Sequence, residues 1–201
     1  ERVLALVDRL QGEGIPLSHL DLGGGLGIPY RDERPPAPAE LAAAVRAGLG
    51  GRPLTLLLEP GRSIVGNAGL LLTRVEYLKH GAGHHFAVVD AAMTEMLRPS
   101  LYQAWMDIVA VAPRPGPGEV YDVVGPVCET GDFLGKGRRL ELREGDLLAV
   151  RGAGAYGFTM SSNYNSRPRP PEVLVAGDRD HLARPRESAA ALHAGERLLP
   201  G

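Results

Sequence analysis

The stretch Leu20-Asp21-Leu22-Gly23-Gly24-Gly25-Leu26-Gly27 decides the fold predicted for this chain, because an apolar run passes directly into a glycine-rich turn. A second apolar run, residues 54–58, ends in Glu59-Pro60-Gly61-Arg62. Apolar residues at helical spacing between positions 39 and 49 predict a helix that joins the two runs. Strands joined in this way are parallel, so both turns should open at the same end of one sheet, where α/β proteins bind phosphate.

Glycine has a physical use in turns of this kind. Because it lacks Cβ, it lets backbone N–H groups approach an anion closely and it accepts left-handed backbone geometry. Arg62 adds a planar donor fork with a permanent charge. The glycines of residues 23–27 alone would equally suit a tight turn between strand and helix. Two such turns on neighbouring strands, one with both an acid and an arginine, favour the phosphate of a cofactor or substrate.

Composition limits the classes of function that this chain can have. With 201 residues, 44% of them hydrophobic, it can bury a substantial core as one domain or two small ones. A net charge of −2 provides no basic field for nucleic acid, and no apolar run reaches the length of a membrane span. We therefore expect neither nucleic acid nor membrane as a partner. The single cysteine, Cys128, fits a reducing compartment, so a cytoplasmic location is expected.

The pattern of the chain changes near residue 68. Before it, helix and strand alternate, starting with an amphipathic helix over residues 1–10. After it, short β-type runs are separated by glycine and proline, which is typical of a mostly antiparallel β domain. The predicted strands are 70–78, 85–90, 108–112, 120–124, 139–142, 147–151 and 172–175. The arginine-rich stretch 179–186 is expected to be a solvated tail, with a short terminal helix over residues 189–199.

Five segments of the chain, in the same order, resemble the diaminopimelate decarboxylase family. They are LDLGGGLGIPY from Leu20, LEPGRSIVGNAG from Leu58, DAAM from Asp90 with LRPSLY from Leu97, GPVCETGDFL from Gly125, and GAYGFTMSSNYNSRPRP from Gly154. The family consists of pyridoxal-phosphate enzymes of the alanine-racemase fold type, which work as dimers with shared active sites. The resemblance implies an α/β plus β fold. Residues 1–68 would be the last part of a cofactor-binding TIM-like (β/α)8 barrel, and residues 69–201 a mostly antiparallel β domain.

The resemblance also implies which residues hold pyridoxal 5'-phosphate. Glu59 would lie beside the pyridine nitrogen, where a carboxylate favours the ring proton that lets the ring accept electrons. Tyr156 would add a hydroxyl to the phosphate and lie near the substrate. The phosphate itself would be held by backbone N–H groups and charge from Gly23, Gly24, Gly25, Gly61 and Arg62.

Further residues correspond to the substrate contacts of the family. Arg62, Arg98 and Tyr102 resemble the groups that bind carboxylates, and Glu129 resembles the residue that meets the distal end of the substrate from the neighbouring subunit. Cys128 matches the cysteine that protonates the carbanion after carbon dioxide leaves, again across the dimer interface. Outside a motif, an arginine is usually a surface residue and a lone cysteine a small buried hydrophobe. The surrounding motifs favour the functional roles here.

The family lysine that forms a Schiff base with the cofactor is not found in this sequence. Only Lys79 and Lys136 are present, and neither has the matching context. We therefore expect this chain to be a fragment, inactive alone and lacking an N-terminal barrel segment, of an enzyme that decarboxylates meso-2,6-diaminopimelate to L-lysine. A decarboxylase of ornithine or arginine, or a non-catalytic dimerisation or regulatory homologue, are the alternatives. Glu129 and the segment from Arg98 to Tyr102 favour diaminopimelate, because ornithine and arginine decarboxylases usually have aspartate after this cysteine.

Three histidines, His80, His84 and His85, cluster between two predicted strands. No cysteine or pair of acids near them in sequence completes a ligand set for a metal. We therefore interpret this segment as a solvated hairpin, and we expect no metal site.

Overall fold

The first part of the chain is a βαβ unit with parallel strands, as predicted. The computed structural model describes residues 2–199, so residue 1 of the predicted first helix lies outside the described part. Leu20 lies opposite Leu56 in the parallel register. The elements are α1 (Arg2–Gly12), β1 (His19–Asp21), α2 (Pro38–Leu49), β2 (Thr55–Leu57) and α3 (Gly61–Val65). Both glycine turns therefore leave the same end of the strand pair.

Helix α2 begins and ends where its sequence dictates. Pro38 stands in its first turn, where a missing N–H is harmless. Glu40 Oε2 accepts a hydrogen bond of 2.6 Å from the backbone N–H of Ala37, just before the helix. Gly50 ends the helix in the left-handed region with φ of 56°. These signals fix the helix that connects β1 to β2.

Most of the later strands form one six-stranded mixed sheet. Its strands lie in the order β5-β8-β3-β4-β6-β7, and only β4 and β6 pair in parallel. The two edge strands approach each other, because a Cβ on Gly135 of β7 would lie 2.9 Å from Ile108 Cδ1 of β5. The sheet is therefore nearly closed. The six strands, and the helix α4 between β4 and β5, are β3 (Leu70–His80), β4 (His85–Val89), α4 (Arg98–Tyr102), β5 (Ile108–Ala110), β6 (Glu119–Val124), β7 (Phe133–Leu140) and β8 (Leu147–Arg151).

The core lies inside this sheet. Its central side chains have no exposed surface and come from five strands: Val75, Val89, Val123, Leu134 and Leu148. Complete burial of one such side chain stabilises the fold by about 1.5–3 kcal/mol. This core makes the sheet a firm support for the loops at its ends.

The end of the chain differs from the prediction of a solvated tail. Residues 179–184 form β10 (Arg179–Arg184), which pairs with β9 (Glu172–Ala176). Gly177, with φ of 65°, makes the tight turn between them, and Arg184 Nε lies 2.9 Å from Glu172 Oε2. All six residues of β10 are exposed, so composition alone could not indicate a strand. The predicted terminal helix is a 3-10 turn, Ala189–His193.

The βαβ unit exposes apolar side chains that a complete domain would cover. Ile64 is 68% exposed, and Leu57, Leu58 and Val65 are exposed as well. A parallel strand pair needs cover on both faces, so further elements should pack against it. The TIM-like barrel and the division between residues 68 and 69 stay predictions. No helix within residues 2–199 is long and apolar enough to cross a membrane.

Candidate functional site

The two glycine turns touch each other. The backbone N–H of Glu59 donates a hydrogen bond of 2.8 Å to the carbonyl of Gly23. Gly24 approaches so closely that a Cβ there would lie 2.5 Å from the Glu59 carbonyl oxygen, which only glycine avoids. The parallel pairing of β1 and β2 thus brings Glu59, Gly61 and Arg62 beside the first turn.

The turn amides differ in their availability to a ligand. The N–H of Gly23 donates to Asp21 Oδ1 at 2.7 Å, and the N–H of Gly61 donates to the carbonyl of Glu59 at 2.8 Å. Within residues 2–199, the amides of Gly24 and Gly25 have no hydrogen-bond partner. A Cβ on Gly25 would meet only open space, and its φ is 86°. Of the four predicted glycines, Gly24 and Gly25 therefore offer free donors to an anion.

Four predicted residues line one cavity of about 300 Å³. Arg62, Arg98, Tyr102 and Tyr156 form its wall together with Met160. The guanidinium carbon of Arg62 lies 5.3 Å from the centre of the Tyr156 ring. The elements that supply them are α3, α4 and the loop after β8. The structure thus brings together residues that are far apart in sequence.

Both arginines of this cavity lack a carboxylate partner. Arg98 is only 7% exposed, and its Nη1 donates to Met106 Sδ at 3.3 Å. Its guanidinium carbon lies 4.5 Å from the centre of the Tyr30 ring. Within the described residues, no carboxylate oxygen lies within 4.0 Å of Arg62 or Arg98. Because a buried charge without a counter-ion is costly, the cavity suits an anionic ligand.

The loop after β8, which carries Tyr156, packs against the segment that follows α3. The amide of Ala153 donates to the carbonyl of Gly69 at 2.9 Å, and that of Gly154 donates to the carbonyl of Gly66 at 3.1 Å. Gly154 packs directly on the carbonyl of Val65, so no side chain fits there. Tyr156 itself has φ of 61°, an unusual conformation for a bulky residue. Strain of this kind is typical of functional sites.

Cys128 and Glu129 lie on a separate, exposed loop. Asn165 Nδ2 is 3.8 Å from Cys128 Sγ, and Tyr164 Oη donates to Glu129 Oε2 at 3.5 Å. Among the described residues, neither Cys128 nor Glu129 belongs to the wall of the cavity. The predicted site residues therefore form two groups on this chain, one around Arg62 and Arg98 and one around Cys128.

A buried carboxylate anchors the loop of Cys128. Asp132, 4% exposed, accepts hydrogen bonds of 2.6 Å from the amide of Met93 and 2.7 Å from that of Val127. Burial raises the pKa of the Asp132 carboxyl, although these bonds and the charge of Arg167 oppose the shift. Asp132 thus connects the segment that leads into α4 with the loop of Cys128.

Sequence reasoning missed several residues of this region. Tyr30 and Met160 contact the cavity residues, and Asp132, Tyr164 and Asn165 support the loop of Cys128. All five fall inside the segments quoted above as resembling a known family. Their position within those segments could have indicated a role in the site, but it does not predict which residues they contact.

Comparison with known proteins agrees with these findings. Residues 6–154 match the family described as "Pyridoxal-dependent decarboxylase, C-terminal sheet domain". The chain is 64% identical over 200 residues to the diaminopimelate decarboxylase of Pseudomonas aeruginosa, covering 100% of this chain and 48% of the relative. It is 58% identical to that of Vibrio cholerae, with 100% and 48% covered. The chain thus spans about half the length of the curated relatives that it matches.

Solved structures show the same fold. AQ1208 from Aquifex aeolicus superposes with a TM-score of 0.91 at 45% identity, over 96% of this chain and 48% of that chain. Diaminopimelate decarboxylase from Helicobacter pylori, complexed with L-lysine, superposes with a TM-score of 0.88 at 40% identity, over the same shares. The family match covers most of this chain, from α1 to the loop that carries Tyr156. The chain therefore belongs to the pyridoxal-dependent decarboxylases and carries their C-terminal sheet domain.

Proposed function

We propose that this chain is the C-terminal part of a cytoplasmic enzyme that decarboxylates meso-2,6-diaminopimelate to L-lysine. One observation carries the proposal: Arg62 and Arg98 line a single cavity, and within residues 2–199 neither has a carboxylate partner. The phosphate of the cofactor and a carboxylate of the substrate would supply the missing charges. The names of the relatives from Pseudomonas aeruginosa and Vibrio cholerae support the choice of substrate.

The donors beside the cavity fit pyridoxal 5'-phosphate. The free amides of Gly24 and Gly25, the guanidinium of Arg62 and the hydroxyl of Tyr156 are suitable partners for a phosphate dianion. Glu59, on the adjoining turn, would hold the proton on the ring nitrogen. When bound, the cofactor supplies an electron sink for the pair of electrons left at Cα as carbon dioxide departs.

The remaining residues would orient the substrate and move a proton. Arg98 and Tyr102 would bind the carboxylate of the distal amino-acid group, so that the reacting carboxylate lies at the other end of the cavity. Glu129 would accept hydrogen bonds from the distal ammonium group. Cys128, an exposed free thiol, would donate its proton to Cα. Because Cys128 and Glu129 do not line this chain's cavity, we assign them to the site of the partner subunit in a homodimer with shared active sites.

A hybrid enzyme tests the proposal. The N-terminal half of the Pseudomonas aeruginosa relative, joined to residues 1–201, should form lysine and carbon dioxide from diaminopimelate. Ornithine and arginine, offered in competition, should be poor substrates. The intact relative is the positive control, and the isolated chain should be inactive because it lacks the Schiff-base lysine. Preference for ornithine or arginine would support a different decarboxylase. Cofactor binding without any turnover would support a non-catalytic homologue.

The shared active site predicts a specific result when subunits are mixed. Hybrid enzymes with Cys128→Ala and with Arg98→Met should each be nearly inactive. Unfolding and refolding an equal mixture should restore about a quarter of the wild-type activity, because half of the dimers are mixed and each contains one intact site. Gel filtration shows whether the refolded mixture forms dimers, and the lysine assay measures the activity that mixing restores. A mixture as inactive as its components would show that each site uses residues of one subunit alone.

A further inference from the structure

The hairpin of β3 and β4 brings three potential metal ligands to one end of the sheet. His80 and His85 lie directly opposite each other in the antiparallel register. His85 lies opposite Tyr121 in the parallel pair with β6. Glu119 precedes Tyr121 by two residues and so shares its face of the strand. The sheet therefore places two imidazoles and one carboxylate side by side, although Glu119 is far from the histidines in sequence.

The distances between these groups are close to those of a metal site. His80 Nε2 lies 3.0 Å from Glu119 Oε2, and the centres of the two histidine rings are 5.1 Å apart. One ligand atom from each of the three residues lies within 4.8 Å of the other two. Ligand bonds to Zn²⁺ are about 2.0–2.2 Å long, so ligand atoms sit up to about 4 Å apart. Side-chain rotation closes this gap, because His80 and Glu119 are about half exposed.

Two further observations favour a metal ligand at this position. Nδ1 of His85 is buried and has no hydrogen-bond partner among the described residues, which is uncommon for a ring nitrogen. The hydroxyl of Tyr121 donates to Glu119 Oε2 at 3.2 Å and so orients this carboxylate. Such a supporting hydrogen bond is usual for carboxylates that bind metals. Glu141 adds negative charge nearby, where its carboxylate accepts the amide of Gly118 at 3.1 Å.

We propose that His80, His85 and Glu119 bind a divalent transition-metal ion with the preferences of Zn²⁺. Imidazole and carboxylate ligands suit this class of ion. His85 and Glu119 also line an open cavity of about 490 Å³, which leaves room for water as a fourth ligand. The ion would tie the β3–β4 hairpin to β6, so its expected effect is a more stable sheet. None of these three residues has a part in the proposed decarboxylation.

Titration with zinc tests the site directly. The full 201-residue chain, without an affinity tag and stripped by a chelator, should bind one Zn²⁺ per chain in isothermal titration calorimetry. Glu119→Gln and His80→Ala should each weaken binding by about tenfold or more, because each removes one ligand. Both positions are exposed enough for the variants to fold. Co²⁺ in place of Zn²⁺ should give the visible absorption of a site with nitrogen and oxygen ligands.

His84→Ala is the matched control. His84 belongs to the same hairpin, but its Nε2 contacts Asp122 Oδ2 at 3.1 Å instead of Glu119. His84→Ala should bind Zn²⁺ with wild-type affinity. Zinc should raise the melting temperature of the wild type and of His84→Ala, but not that of Glu119→Gln. Three results would overturn the proposal. They are no binding by the wild type at millimolar zinc, undiminished binding by Glu119→Gln and His80→Ala, or an equal loss in His84→Ala.

Discussion

Replacing Arg98 by methionine in the hybrid enzyme should lower kcat/KM for diaminopimelate by about 10²–10³-fold. Arg98 is buried and lines the cavity without a carboxylate partner in the described part of the chain, so the substrate would be its counter-ion. Loss of one partner from a buried pair of charges costs about 2–5 kcal/mol, and the expected fall lies within this range, since about 1.4 kcal/mol is tenfold. Arg98→Lys should give an intermediate value, because lysine keeps the charge but loses the bidentate geometry. Steady-state kinetics of lysine formation measures both.

The melting temperature of Arg98→Met shows whether a fall in its activity reflects a lost substrate contact or a misfolded protein. Methionine fills the space of Arg98 without a buried charge, so the melting temperature of Arg98→Met should be unchanged or higher. Arg151→Met is the matched control, because Arg151 is exposed and pairs with Asp107 at 3.3 Å. Its activity should change by less than about twofold. A kcat/KM within threefold of wild type for Arg98→Met would exclude Arg98 from substrate binding.

Asp132→Ala should destabilise the sheet domain by about 2–4 kcal/mol. The variant leaves the partly buried amides of Met93 and Val127 without acceptors, and each unsatisfied group costs about 1–3 kcal/mol. Urea unfolding measures the change. Hydrogen exchange should also accelerate at the Val127 amide, which reports the loosened loop of Cys128. Asp178→Ala, in the exposed turn between β9 and β10, should stay within about 0.5 kcal/mol of wild type. A protected Val127 amide in Asp132→Ala would contradict the anchoring role.

The raised pKa of Asp132 predicts how its contribution to the free energy of unfolding changes with pH. Burial raises the pKa of its carboxyl above the usual 3.8, so the folded state holds this proton more tightly than the unfolded state. Its contribution to the free energy of unfolding is therefore full below pH 3.8 and is lost as the pH rises through the raised pKa. Asp132→Asn cannot ionise. The free energy of unfolding of this variant should therefore lack the decrease that wild type shows as the pH rises through this window, which urea titrations at several pH values would measure.

Local pattern was enough to predict the parts of the fold that depend on neighbouring residues. The apolar run into the glycines of residues 23–27, and its repeat at residues 54–62, correctly predicted parallel strands with adjacent turns. Seven predicted strands lie close to observed ones, although β7 begins at Phe133 instead of residue 139. Glycines within this strand weaken the β pattern there, and only pairing with β6 reveals its full length.

Contacts between distant segments could not be predicted from the pattern. Asp132 accepts a hydrogen bond from the amide of Met93, which lies 39 residues away in sequence. Glu119 meets His80 only because β4 and β6 pair in parallel. The strand of residues 179–184 is stabilised by its hairpin turn and not by burial, so its polar composition indicated a tail. Each case depends on tertiary or hairpin pairing that outweighs composition.

The left-handed backbone of Tyr156 has a consequence for the evolution of this domain. Glycine or asparagine would adopt the same φ of 61° with less steric penalty than tyrosine. A laboratory selection for heat tolerance alone should therefore favour these replacements, and they would remove the aromatic side chain that lines the cavity. A tyrosine kept at this position therefore costs the domain some stability in exchange for its side chain at the cavity, a compromise expected where activity limits what selection can stabilise.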